Sequence, residues 1–125
     1  MATTMAGSAF EVDHGPDWLF IRPIMPGELN VESLADQVWS MIECNMVHRC
    51  VLELDRVELL CSSLVAQLVK LKKKMHQHGG ILRLSGLNSG GQEVLRICRL
   101  GEQLHSFPNR AEAVLGPRSM PNQPR

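Results

Sequence analysis

At 125 residues the chain is long enough for one domain with its own core and too short for two, and 44% hydrophobic with 21% charged residues is the balance of an ordinary soluble globular protein. Lys+Arg and Asp+Glu are equal at 13 each, so no global charge draws the chain to nucleic acid or anionic membrane, and two Trp, three Phe and no Tyr argue against an aromatic platform for single-stranded bases. No apolar run reaches the length of a membrane span, Met1 to Ser8 lacks the features of a secretory leader, and four cysteines without a Cys-x-x-Cys pair read as the reduced thiols of a cytoplasmic protein.

In chain order, residues 1–8 are small and polar and are expected to be disordered ahead of a single domain over 9–115. Phe10 to Asp13 alternates and reads as a strand, His14-Gly15-Pro16-Asp17 as a turn, and Trp18 to Arg22 as the second arm of a hairpin. Pro23 and Pro26-Gly27 make the end of that arm irregular or edge-like. Asn30 is a candidate N-cap for a helix carrying Leu34, Val38, Met41 and Ile42 on one face and ending near Asn45.

Cys50, Leu52 and Leu54 alternate with Val51, Glu53 and Asp55 in a third strand. A second helix, from about Ser63 to Gln77, sets Leu64, Leu68, Leu71 and Met75 on one face and stops at Gly79-Gly80. Ile81 to Leu84 is a fourth strand. Ser89-Gly90-Gly91-Gln92 has capping-box spacing before a third helix with Val94, Leu95, Ile97 and Cys98 as its apolar face. Leu104 to Phe107 offers a fifth strand, Arg110 to Leu115 a terminal helix, and the Pro-rich segment 116–125 a disordered tail. Strands alternating with helices give an α/β layer structure.

The junction between the third strand and the second helix carries the candidate site. Ser62 and Ser63 stand where a helix begins, and the first backbone N–H groups of a helix have no intrahelical partner. A serine there serves as a cap or, because that end is partially positive, as a site where a phosphate is welcome. Cys61 beside them reads as a packed thiol between Leu59, Leu60 and Leu64, with reactivity as the minority reading. Lys70, Lys72, Lys73 and Lys74 read first as a solvated face with snorkelling stems and second as a patch for an acidic partner. Cys44, His48, Cys50, His76 and His78 do not have the spacing of a zinc site, so no metal or cofactor is expected.

Several segments together resemble one family. Gly27-Glu28-Leu29-Asn30 is similar to the G-E-L-D motif of STAS domains, the sulfate-transporter and anti-sigma-factor-antagonist fold. Val51 to Leu54 followed by Cys61-Ser62-Ser63-Leu64 resembles that family's strand and D-S-S-G motif. Gly79 to Leu87 resembles its next strand, and Glu93 to Ile97 with Leu100-Gly101 its next helix and turn. The resemblance covers about residues 10–115. Asn30 and Cys61 replace the two aspartates of those motifs, and Leu64 replaces the glycine.

The resemblance implies a mixed β-sheet of four to five strands with about four helices packed mainly on one face. It also implies a regulatory protein, not an enzyme, that binds a kinase-type anti-sigma factor in a partner-switching pathway, with no nucleic acid and no membrane insertion. Ser63 aligns with the serine whose phosphorylation abolishes that binding, with Ser62 as second choice. The implied contact surface is Asn30, Cys61, Ser62, Ser63 and Leu64. A non-phosphorylated scaffold or transporter-complex subunit, and a thiol redox protein using Cys61, are the alternatives.

Overall fold

The computed structural model describes residues 3–6, 10–24 and 31–116. One sheet of six strands runs through it in chain order: β1 Thr3–Ala6, β2 Phe10–His14, β3 Leu19–Pro23, β4 Arg49–Glu53, β5 Ile81–Ser85 and β6 Ser106–Phe107. The first three are antiparallel neighbours and β3 to β6 are parallel, so the sheet is mixed as expected. Parallel neighbours require crossovers, and α1 Leu34–Asn45, α2 Ser62–Gln77 and α3 Ser89–Ile97 supply them, leaving α4 Arg110–Leu115 after the last strand.

Strand alternation separates two cores. Phe10, Val12, Leu19, Ile21, Cys50, Leu52 and Leu84 face α1 and α2, where Leu34, Val38, Ile42, Leu64, Leu68, Leu71 and Met75 meet them, and Leu95 of α3 joins the same cluster. The intervening residues Phe20 and Val51 pack with Trp18 against Ala113 of α4 on the opposite face. Burial of Cys50 pushes its thiol well above the usual range.

Both faces of β4 are therefore covered, which is why its centre is three consecutive buried apolar residues, Cys50, Val51 and Leu52, between Arg49 and Glu53. The helix stop also follows expectation. Gly79 is left-handed at φ 71°, its N–H bonds the carbonyl of His76, and the N–H of Gly80 bonds that of Met75 at 2.7 Å.

Several boundaries differ from the sequence reading. Thr3–Ala6, expected without structure, pair antiparallel with β2, whose outer backbone groups would otherwise be an open edge. They raise the strand count to six. β3 is an interior strand, not an edge. Pro23 is tolerated because it is the last residue and β4 pairs only with Leu19 to Ile21. A 3₁₀ turn, Val31–Ser33, precedes α1.

The cap of α3 is Asn88, not Ser89: its Oδ1 accepts from the N–H of Gly91 at 2.8 Å while its amide donates to the carbonyl of Glu58 at 3.0 Å. Ile97 and Cys98 are exposed, because the short α3 buries only Gly91 and Leu95. The proposed tail lies outside the described residues apart from Gly116.

Candidate functional site

Parallel strands bring the connections that follow them to one end of the sheet, beyond the C-termini of the strands. After β4, the N–H of Leu54 bonds the carbonyl of Ser85 at 2.8 Å, and a turn closes from the N–H of Val57 to the carbonyl of Leu54 at 3.0 Å. Gly86 after β5 sits against this turn at φ 74°, where a Cβ would lie 2.9 Å from that of Asp55. Val57 and Leu60 reach the core and pin the segment, which turns Leu59 between them outward to 73% exposure. The bond from Asn88 to Glu58 ties this segment to the start of α3.

The chain then enters α2. Cys61 is the N-cap: its backbone is extended, its carbonyl accepts from the N–H of Val65 at 2.9 Å, and its side chain makes no cap bond. The serines thus occupy the first two helical positions, and neither caps the helix as anticipated. The backbone N–H groups of Ser62, Ser63 and Leu64 fall in the turn that lacks intrahelical acceptors.

Cys61, Ser62 and Ser63 are all exposed. This corrects the reading of Cys61 as packed: the flanking leucines anchor at Leu60 and Leu64 and leave the residues between them outside. Leu64 is fully buried, so its side chain belongs to the core and not to a contact surface. Asn30 lies outside the described residues.

The turn Val31–Ser33 packs beside α2, and the Oε1 of Gln67 in α2 accepts from the N–H of Ala35 at 2.9 Å. The start of α1 is thereby held against the serine-bearing helix. The surface therefore gathers two hydroxyls at a partially positive helix end with a protruding apolar side chain, Leu59, and the Glu58–Asn88 tie. A phosphate on Ser62 or Ser63 would have free N–H donors beside it without disturbing the helix. Sequence reasoning missed Leu59, because in Val57-Glu58-Leu59-Leu60 nothing local says which apolar residue faces out.

An ion-pair network on the α4 face was also missed. Glu53 on β4 is 5% exposed and receives Nε and Nη2 of Arg110 at 2.7 and 2.9 Å. Arg110 also reaches Asp13 at 2.8 Å and lies over the Phe20 ring, 4.1 Å from its centroid. Arg22 joins Glu11 at 3.0 Å, Asp55 at 2.9 Å and Glu53 at 3.4 Å. The bond from Arg110 holds Asp13 below the usual carboxylate range, and bonds to Glu53 and Asp13 raise Arg110. Arg22, Glu53, Asp55 and Arg110 line a cavity of about 300 Å³ with Ser85 and Gly86, but they satisfy one another, and Arg110 clamps α4 to the sheet.

At the other end, His48 and His78 flank Trp39 with ring centroids 5.9 and 4.6 Å away, and no cluster of three metal-ligating side chains occurs among the described residues. No helix among them is long and apolar enough to cross a membrane.

A family model described as the STAS domain matches residues 28–113. The fold is similar to that of a Thermotoga maritima protein described as a candidate anti-sigma factor antagonist, with a TM-score of 0.76 at 19% identity over 86% of this chain and 93% of that one. An anti-sigma-factor antagonist (STAS) domain protein from Planctomyces limnophilus gives 0.65 at 22% identity, over 85% and 95%. The Bacillus cell fate determinant SpoIIAA in its phosphorylated form gives 0.61 at 20% identity, over 85% and 96%. No curated protein matches the sequence.

Proposed function

The chain belongs to the STAS domain family, and we propose that it is a cytoplasmic regulatory protein of the anti-sigma factor antagonist type, which binds a kinase-type anti-sigma factor and does no chemistry itself. The observation that carries this reading is the exposed Cys61-Ser62-Ser63 start of α2 beside the outward Leu59. An apolar side chain at the centre of a contact provides affinity, and hydroxyls at its rim provide the place where a charge can end it. Ser63 is the proposed phosphoacceptor, with Ser62 second. A phosphate there adds nearly two negative charges to a surface that must be desolvated on binding, and an unpaired buried charge is strongly unfavourable. The fold similarity to SpoIIAA in its phosphorylated form is consistent with a domain that carries such a group.

The test is a binding series with the kinase-type anti-sigma factors of the source organism. Because Ser63 does not cap the helix, Ser63→Ala should leave stability within about 0.5 kcal/mol of wild type. Ser63→Asp should be neutral or slightly stabilising in the helix field. Ser63→Asp should weaken binding at least about tenfold while Ser63→Ala retains it. Mass spectrometry after incubation with the partner and ATP should find phosphate on Ser63. Equal binding by both variants and no phosphate on either serine would defeat the switch.

One observation favours a constitutive scaffold as the second reading. The aspartates of the family motifs are absent at Asn30 and Cys61, while Leu59 offers a contact that needs no phosphate.

A further inference from the structure

The lysine cluster of α2 plays no part in the serine-bearing surface. Ser63 and His76 are 13 positions apart on one helix, about 20 Å at the helical rise. At the far end Lys72, Lys73, His76 and Gln77 line a cavity of about 350 Å³ with Gln103, which comes from the connection between α3 and β6. Two independent segments therefore converge there.

The lining is chemically one-sided. Its lining side chains carry two ammonium groups, an imidazole and two carboxamides and no carboxylate, over a wall that is mostly aliphatic. Lys70 has Asp36 at 3.8 Å, but no ion pair engages Lys72, Lys73 or Lys74 among the described residues. The carbonyls of Met75 and His76 accept from the N–H groups of Gly80 and Gly79, so the partial negative charge of this helix end, which the lysines must outweigh, is in part already paired. Burial first, then the charges of Lys72 and Arg83, hold the nearby His105 below its usual range, with Glu102 alone opposing them.

We propose that this cavity binds a small phosphorylated molecule carrying at least two negative charges, held by Lys72 and Lys73 and oriented by His76, Gln77 and Gln103. A phosphate ester matches the site because it offers several acceptor oxygens to donors spread over two segments, and the volume lies in the range of small-molecule sites. An extended polyanion is disfavoured by the lack of exposed arginine or aromatic side chains in the lining.

Inorganic pyrophosphate is the probe, with inorganic phosphate as the lower-charge comparison, followed by amide shifts of the isotope-labelled full chain. Pyrophosphate should give saturable shifts confined to residues 72–77 and 103, weakened by added salt, and should bind at least about threefold more tightly than phosphate. Lys72→Gln with Lys73→Gln should lower that affinity at least about tenfold with an unchanged melting temperature. Gln103→Ala, on the second segment, should lower it at least about twofold and serves if the double variant is unstable. Shifts that never saturate, shifts centred on Ser62 to Leu64, or variants that bind like wild type would overturn the assignment. So would an acidic peptide or oligonucleotide that occupies the same amides more tightly with a footprint reaching Lys70 and Lys74.

Discussion

Replacing Arg110 by Met probes the contact that fixes α4 to the sheet. The guanidinium gives Glu53 two bonds, at 2.7 and 2.9 Å, and the Glu53 side chain is only 6% accessible. Removing one partner of a fully buried pair costs about 3–5 kcal/mol, because the other charge is left without compensation. Two facts reduce that here. Arg110 is itself 37% accessible, so water can follow the deletion, and Arg22 remains 3.4 Å from Glu53.

The rim bond to Asp13 adds about 0.2–1 kcal/mol, the range for solvent-accessible pairs. Met keeps the apolar stem against Phe20. The expected loss is about 2–3 kcal/mol by urea denaturation followed by circular dichroism, with an unchanged m-value. A cycle with Glu53→Gln should show coupling of about 1–2 kcal/mol. A loss below about 0.5 kcal/mol, or two substitutions that simply add, would refute the view that this pair organises the α4 face.

Leu68→Ala, at a fully buried position under the sheet, should destabilise by about 2–5 kcal/mol in the same assay, and a loss below about 0.5 would mean that this face of α2 is not in the core. Gly79→Ala and Gly86→Ala both force a side chain into left-handed backbone, about 1–2 kcal/mol each. The first faces open space and the second meets Asp55, so Gly86→Ala should be clearly the worse, and equal losses would contradict the described turn. Asp13 has its pKa depressed below the ordinary 3.8 by the bond from Arg110, so its contribution is full above that value and fades as pH falls through the folded pKa. The acid limb of a stability–pH curve should therefore flatten in Arg110→Met, and an unchanged limb would count against the Asp13–Arg110 bond.

By itself the sequence determined the α/β class and the identity of most elements. Period-two and period-3.6 apolar patterns place Leu52, Leu54, Leu68 and Leu71 inside, and the structure buries all four completely. The glycine pair after α2 marks its stop, and residues 110–115 their helix, because both signals are local. The motifs around Leu29 and Ser63 pointed to the family from the chain alone, and the family model covers that span.

What the tertiary structure decided is which of several locally equivalent residues takes each role. Asn88 and Ser89 are both good caps, and in the folded chain Asn88 takes the role while also bonding the distant carbonyl of Glu58. Leu59, Leu60 and Leu64 are equally apolar, and the sheet and α1 leave room for two of them, so Leu59 faces out and carries Cys61 and the serines to the surface with it. Glu53 and Arg110 are 57 positions apart and their pairing needs α4 folded back over β4. Periodicity reports the face of an element, while a charge pair, a shared cap or a projecting leucine depends on what another element presents to it, and that is settled only when the chain closes on itself.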